Sequence, residues 1–351
     1  QEDCDRLLRC YKARQFLRIG GRDLCGLAAL EEVTAELSAL AAASLQIAIE
    51  YYTHRLQQEY GQPVTEDGGV AEFTVLGMGK FGGHELNFSS DIDLIYCYST
   101  MCGQTSGGSR GEQIELRRYF VKLSEMISRA LHQPTADGFV FRVDTRLRPD
   151  GNSGDLAISL NAAETYYESW GQSWERAAMI KARPVAGSMK LGEELLARLE
   201  PFIYRRFLDF GMIEDIMLMK KKIDASLNRT GEGELNLKLG RGGIREIEFF
   251  IQALQLVNGG KNRLLRERNS LKALRLLGEQ DLISEEEVLS LQQAYRFLRT
   301  VEHRIQIVQE RQTHSLPTRA AEMLALARRS GFSDIDSFSR MLKVHREEVC
   351  R

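Results

Sequence analysis

The spacing of apolar residues changes twice along the chain. In the first sixty residues they lie three and four positions apart, as at Leu37, Leu40 and Leu45, which is the spacing of an amphipathic helix. From Glu72 they form short runs instead: "EFTVLGMG" ends in a glycine turn, and "DIDLIYCYST" follows it. Such runs predict strands. Beyond Asn161 the helical spacing returns. The pattern therefore predicts a small sheet between two helical parts.

Two further segments complete the predicted sheet domain. "EQIELRRYFVKLSEMISRALHQ" has its apolar residues on one face of a helix. "GFVFRVDTRLRP" alternates apolar and polar residues and predicts a third strand. The predicted class is α+β, because one sheet domain is flanked by helices. The predicted parts are an N-terminal helical segment (1–63), a sheet domain (64–165) and a larger helical bundle (166–351).

The composition argues against several classes of protein. The chain has 351 residues, 43% of them hydrophobic and 27% charged, and its formal charge of -2 argues against a nucleic-acid binder. Six cysteines form no CxxC pair and indicate free thiols in the cytoplasm. We find no apolar run near the roughly 20 residues that span a bilayer, so no membrane partner is predicted. The chain begins inside a predicted helix, without Met, as a piece of a longer protein would.

Three aspartates are the candidate catalytic groups. Side chains alternate along a strand, so Asp91 and Asp93 share one face of the second strand. Asp144 shares the polar face of the third strand with Arg146 and Arg148. If these strands are neighbours, three carboxylates converge and repel one another unless a cation lies among them. Oxygen ligands near a phosphate favour Mg²⁺, with Mn²⁺ as the alternative. The three aspartates are therefore both the predicted metal ligands and the predicted catalytic residues.

The segment before Asp91 carries groups that suit a phosphate. In "GMGKFGGHELNFSSDIDL" the glycines allow close approach of the backbone, and lysine and serine side chains supply donors. It is not a Walker A loop, because Lys80 is followed by Phe, and no GxGxxG helix start occurs. The predicted phosphate- and nucleotide-binding residues are Gly79, Lys80, Gly82, Gly83, Ser89, Ser90, Arg146 and Arg148.

Each of these features also has an ordinary structural interpretation. An Asp-x-Asp sequence can be a solvated strand end, and a glycine turn after a strand can be only a turn. The sequence "RLRP" can be the exposed face of an edge strand. Their combination favours metal-dependent phosphoryl or nucleotidyl transfer.

The same residues resemble a known group of proteins. Gly79, eleven further residues and then Asp91-Ile92-Asp93 resemble the signature of the polymerase-β-like nucleotidyltransferases, in which a third acid completes the metal site. Asp144 takes that place here. "GMGKFGGHELNFSSDIDLIY" is similar to the family of bacterial glutamine-synthetase adenylyltransferases. "FRVDTRLRPDGNSGDLAIS", "WERAAMIKARPVAG" and "LGRGGIREIEFF" also resemble that family. The resemblance covers most of the chain.

Two later segments resemble one of the two halves of those bifunctional enzymes. Trp174-Glu175-Arg176 and Arg245-Glu246-Ile247-Glu248 are similar to the N-terminal, adenylyl-removing half. The resemblance implies phosphorolysis, in which phosphate releases ADP from the adenylylated tyrosine of glutamine synthetase. It also implies a PII signalling protein and a C-terminal adenylylating half as partners. Arg245, Glu246 and Glu248 are predicted to face the substrate, with a solvated helix start as the alternative.

Three other functions remain possible for this sequence. The first is the opposite reaction, transfer of AMP from ATP to glutamine synthetase. The second is uridylyl transfer to a PII protein, which is expected to bring a phosphohydrolase domain with a His-Asp pair. No His-Asp pair occurs in this chain. The third is a regulatory module that keeps the fold and has lost catalysis, although the intact aspartates argue against it.

Overall fold

A computed structural model describes residues 2–205, 235–308, 310 and 312–351. Within these residues the helices are α1 (Glu2–Leu24), α2 (Leu30–Tyr60), α3 (Gly79–Gly82), α4 (Leu116–His132), α5 (Leu160–Ser169), α6 (Ser173–Met179), α7 (Met189–Ile203), α8 (Ile244–Asn258), α9 (Ser270–Glu279), α10 (Glu285–Gln306), α11 (Ala320–Arg329) and α12 (Ile335–Cys350). The strands are β1 (Pro63–Thr65), β2 (Phe73–Gly77), β3 (Ile92–Tyr98), β4 (Gly103–Thr105), β5 (Val143–Asp144), β6 (Ala157–Ser159) and β7 (Arg183–Gly187). The predicted α+β class is confirmed.

The chain divides into two compact units that differ from the predicted parts. The first unit comprises residues 1–19, 34–86 and 90–203, and the second comprises residues 20–33, 87–89 and 204–351. The sequence placed a boundary at residue 165. In the structure, β7 pairs with β2, so the chain up to Ile203 belongs with the sheet. Pro184 lies inside β7, and proline weakens the sequence signal for a strand.

The first unit is built on a five-stranded sheet. Its order is β5-β3-β2-β7, with β6 also paired to β3. The strands β2 and β3 are antiparallel, whereas β3 runs parallel to both β5 and β6. Alternate side chains of β3 do enter the core, since Ile92 and Leu94 are fully buried. The amphipathic α4 buries Phe120, Leu123 and Ile127, as predicted. A separate ladder joins β1 to β4.

The third predicted strand is much shorter than its sequence pattern. Only Val143 and Asp144 pair with β3. The amides of Val140 and Phe141 instead both donate to the carbonyl of Leu131 at the end of α4, at 3.0 Å each. The side chain of Val140 is buried, contrary to the predicted alternation. Backbone bonds to a helix end have therefore replaced most of the expected ladder.

The second unit has a helical core of its own. It is formed largely by apolar residues of α8, α9, α10 and α12, such as Ile247, Leu274, Leu298 and Phe338. The helix α10 begins at a reciprocal capping box between Ser284 and Glu287.

The helix α2 is long and apolar enough, by length and composition, to cross a membrane. Slightly more than half of its most apolar stretch, 56%, is buried inside the protein, and core helices of soluble proteins pass the same test. The prediction that the chain has no long apolar segment therefore does not hold for α2.

All six cysteines are free.

Candidate active site

Two of the three predicted acids are direct neighbours in the sheet. Asp93 on β3 lies in register with Asp144 on the parallel strand β5. Registered residues of neighbouring strands place their side chains on the same face. Asp91 precedes β3 by one position, and all three carboxylates are partly exposed while Ile92 is fully buried. The structure therefore places the predicted acids on one polar edge of the first unit.

A glycine turn lies directly against this edge. The turn from β2 into α3 passes through Gly79, whose φ of +51° is in the left-handed region. A Cβ atom at this position would lie 3.0 Å from Asp93 Oδ2. The backbone is held in place as well, because the Met78 amide donates to the Asp93 carbonyl at 2.8 Å. Both the conformation and the space therefore require glycine here.

We expect Gly79→Ala to lower activity by roughly 10²-fold, because the added methyl group pushes on a carboxylate that must be placed within tenths of an ångström. Steady-state kinetics of ADP release would measure the loss. Gly68→Ala is the matched control, since Gly68 has a φ of +84° and nothing within 4 Å of an added Cβ. Equal losses in both variants would show that backbone strain, rather than contact with Asp93, causes the effect.

Two arginines partly neutralise the acids. Arg142 Nε donates to Asp91 Oδ1 at 2.7 Å. Arg146 binds Asp144 more fully: its backbone amide donates to Oδ1 at 2.8 Å, and its guanidinium donates to both carboxylate oxygens. Burial alone would raise the pKa of Asp144, but these hydrogen bonds outweigh burial and hold the pKa below its usual value. Cations do lie among the acids, as mutual repulsion requires.

Replacement of Arg146 tests this balance. Because the folded-state pKa of Asp144 is lowered, its pairing stabilises the fold above the ordinary pKa of aspartate, and that contribution disappears as the pH falls through the folded pKa. We expect Arg146→Ala to raise the pKa of Asp144, as followed by carboxyl-carbon NMR. Arg118→Ala, which breaks an exposed pair with Glu112, should leave this titration unchanged. An unaltered titration curve of Asp144 in Arg146→Ala would contradict the conclusion that hydrogen bonds from Arg146 lower the pKa of Asp144.

The three acids carry the oxygen ligands that a divalent cation prefers, although the described part of the chain contains no ready-made ligand cluster. Among the described residues, no three His, Cys, Asp or Glu side chains are grouped as metal ligands. The guanidinium of Arg146 nevertheless interacts with Asp144 and, more weakly, with Asp93 and Asp91, and each of them raises its pKa. One cation is thus already attracted by all three carboxylates. Carboxylate oxygens are among the ligands that Mg²⁺ uses in proteins, and the ion usually keeps several waters.

The turn that carries Gly79 is supported from β7 and the residues before it. Lys181 Nζ donates to Glu85 Oε2 at 2.5 Å, and both side chains are buried. Arg183 donates to the carbonyls of Phe81 and Gly82 at the end of α3. These contacts give a structural role to the segment "WERAAMIKARPVAG".

The other predicted phosphate-binding residues have varied surroundings. Gly82 approaches the Lys181 carbonyl so closely that a Cβ would lie 1.8 Å from it, so its glycine is needed for packing. Arg148 is buried, and its guanidinium donates to the carbonyls of Thr145, Gly154 and Asp155. Lys80, Gly83 and Ser90 lie on the predicted segment, and Ser89 is buried within the second unit. Their phosphate-binding roles stay predictions.

The predicted substrate-facing residues lie at the start of α8 in the second unit. Arg245 lies over the ring of Phe249, and Glu246 is in the first turn. Glu248 accepts a hydrogen bond from the Tyr295 hydroxyl at 3.3 Å. All three are half-buried. Contact with a substrate stays a prediction for each.

Comparison with known proteins identifies the family. The model of the glutamate-ammonia ligase adenylyltransferase family matches residues 1–198. A protein of Nitrosococcus oceani named bifunctional glutamine synthetase adenylyltransferase/adenylyl-removing enzyme is 47% identical over 98% of this chain. The chain belongs to this family. A protein of the same name from Pseudomonas aeruginosa is 44% identical over 99% of the chain. The name of these relatives describes enzymes that transfer adenylyl groups to glutamine synthetase and remove them.

Two further findings concern the extent of the match. The chain spans about a third of the length of these relatives, 35% in each case. A second family model, that of PII-uridylyltransferases, matches residues 217–351. The second unit is thus similar to a region of the enzymes that the sequence suggested as an alternative.

Proposed function

We propose that this chain removes AMP from the adenylylated tyrosine of glutamine synthetase by phosphorolysis, releasing ADP. The observation that carries the proposal is the pairing of Asp93 with Asp144 directly beside the turn at Gly79. Carboxylates next to a backbone that can approach a phosphate closely suit phosphoryl chemistry assisted by a cation. The names of the relatives support the substrate.

The proposed reaction needs little acid–base chemistry. An oxygen of inorganic phosphate forms a bond to the α-phosphorus of the AMP group, and the bond from that phosphorus to the tyrosine oxygen breaks. The electron pair stays on the phenolate, which takes up a proton. Phosphate is already a competent nucleophile, so no strong base is required. The main task of the protein is to hold both groups in line.

The residues of the polar edge have distinct proposed tasks. Asp93 and Asp144, with Asp91, would hold Mg²⁺ or Mn²⁺, which when bound neutralises phosphoryl and phenolate charge. Arg146 is exposed and would bind phosphate oxygens through its guanidinium. The backbone at Gly79 and the side chains of Lys80 and Ser90 would contact the nucleotide phosphates.

The direction of the reaction rests on sequence resemblance. Trp174-Glu175-Arg176 and Arg245-Glu246-Ile247-Glu248 support the adenylyl-removing assignment. We expect the protein to work in the cytoplasm as part of a longer polypeptide that also carries the adenylylating half. A PII signalling protein is the proposed regulator.

One assay tests both the activity and its direction. The protein is incubated with adenylylated glutamine synthetase, Mg²⁺ and phosphate, and ADP is quantified. A parallel reaction contains unmodified synthetase and ATP. We expect ADP in the first reaction and no AMP incorporation in the second. AMP incorporation alone would support the adenylylating alternative. If neither reaction proceeds, a module that has lost catalysis becomes the better explanation.

A further inference from the structure

The predicted signature contains a buried amide that has no assigned role. Asn87 lies between Leu86 and Phe88, and the residue is only 2% exposed. In the second unit, to which residues 87–89 belong, its Nδ2 donates to Glu302 Oε2 at 2.6 Å. Its Oδ1 accepts from Arg299 at 2.6 Å and lies 2.8 Å from His303 Nε2. One amide thus contacts three buried polar side chains of α10.

These contacts continue in two directions. Arg299 also donates to the Tyr295 hydroxyl at 2.7 Å, and that hydroxyl donates to Glu248 on α8. On the other side, His314 Nδ1 lies 2.6 Å from Glu302 Oε1. The motif around Glu248 and the signature around Asn87 are therefore joined by a continuous hydrogen-bonded network. We call it the Asn87 network, comprising Asn87, Glu248, Tyr295, Arg299, Glu302, His303 and His314.

The buried charges make the position of Asn87 specific. Arg299 and Glu302 are 1% and 0% exposed, and their closest ion-pair atoms are 3.3 Å apart. Buried ions are tolerated only when their remaining donors and acceptors are also satisfied. Asn87 supplies an acceptor to Arg299 and a donor to Glu302 with the same side chain. A shift of the segment would break both hydrogen bonds together.

The two residues that follow Asn87 are held in the same way. Phe88 is buried, and its ring packs edge-to-face on His303 with ring centroids 5.4 Å apart. Ser89 is buried, and its hydroxyl donates to the carbonyl of Glu310 at 2.6 Å. After Ser89 the chain continues directly through Ser90 to Asp91. The backbone that enters the polar edge is thus fixed at three consecutive residues.

We propose that Asn87 is a positioning residue of the candidate active site, through which Arg299 and Glu302 of α10 fix the backbone that leads into Asp91 and Asp93. This inference rests on the proposed function in one respect, because the reaction whose rate Asn87 would affect is the proposed release of ADP. It gives Glu248 an indirect task, exerted through Tyr295 and Arg299, because its hydrogen bond orients the tyrosine hydroxyl that Arg299 contacts.

The test uses the full-length polypeptide and three variants. Asn87→Ala removes the contacts of the amide, and Tyr295→Phe removes only the hydroxyl between Arg299 and Glu248. The control is Asn269→Ala, since Asn269 caps α9 by accepting from the Lys272 amide at 3.1 Å. Loss of that cap lowers stability without touching the Asn87 network. The readouts are kcat and KM for ADP release, the melting temperature, and hydrogen exchange of the amides of residues 88–93.

For Asn87→Ala we expect kcat to fall by about 10- to 100-fold, as for residues that orient catalytic ligands, with KM nearly unchanged. Exchange at residues 88–93 should become faster. Tyr295→Phe should change kcat and exchange in the same direction by less. Asn269→Ala should change only the melting temperature.

Three results would decide against the inference. Unchanged exchange in Asn87→Ala would show that the amide does not hold the segment. Faster exchange with wild-type kcat would show that holding the segment does not matter for catalysis. An equal loss of kcat in Asn269→Ala would show that a general loss of stability, and not the loss of the Asn87 amide, lowers the rate. If Asn87→Ala does not fold, Tyr295→Phe gives the same decision. A wild-type protein that releases no ADP refutes the proposed function instead, and the exchange data then judge the anchoring alone.

Discussion

Asp93→Asn is expected to lower the rate of ADP release on the order of 10³-fold or more while the fold is retained, because the substitution removes a carboxylate proposed to hold the cation that neutralises phosphoryl charge. Asp93 is the acid in register with Asp144 and in contact range of the Gly79 turn. Asparagine has nearly the same shape, so packing of the turn should persist. The measurement is single-turnover ADP release with circular dichroism of the same samples.

Asp137→Asn provides the matched control for this substitution. Asp137 belongs to the same unit and lies in an exposed turn between Thr135 and Gly138. Its variant should have wild-type activity. Near-normal activity in Asp93→Asn would mean that the reaction does not occur at the polar edge that carries the three aspartates.

The largest effect on stability is expected for Lys181→Met. This change leaves Glu85 buried without its counter-ion, which typically costs about 3–5 kcal/mol of unfolding free energy. The Glu85 amide also donates to the Lys80 carbonyl at 2.7 Å, so the turn after Gly79 should loosen with it. Denaturant unfolding and thermal melting would measure the loss.

The double variant Lys181→Met/Glu85→Leu separates charge from packing. A buried pair replaced as a whole by apolar side chains is often neutral or even stabilising. We expect the double variant to recover most of the stability that Lys181→Met loses. A double variant as unstable as the single one would show that the shape of the pair matters more than its charge. Arg275→Ala, which breaks an exposed pair with Glu279, should be nearly neutral.

Much of the sheet was predictable because its signals are local. The glycine turn ends β2, a short apolar run marks β3, and a single apolar face marks α4. The pairing of Asp93 with Asp144 followed from alternation once the strands were assumed to be neighbours. The sequence predictions fail where another contact competes with the predicted one. The carbonyl of Leu131 accepts hydrogen bonds from two amides that the alternating pattern places in a strand. Pro184 weakens the sequence signal for β7.

The supporting residues of the site could not be predicted in the same way. Asn87 and Glu302 are 215 positions apart, and no periodicity connects them. The only local hint was a polar residue between the apolar residues Leu86 and Phe88. Arg148 and Arg146 share the polar face of the predicted third strand. Arg148 is nevertheless buried and donates to carbonyls of its own loop, whereas Arg146 is exposed. Sequence indicates which residues are polar, whereas the packing of distant segments decides what they bind.

The division of the chain also limits how the sheet unit could be separated from the rest. Residues 20–33 and 87–89 are packed within the second unit, although they lie early in the sequence. A protein truncated after Ile203 would lack the α10 side chains that contact Asn87 and Phe88. Gene fusions or domain transplants that keep only the chain up to Ile203 would therefore lose the contacts of residues 87–89 just before the three aspartates.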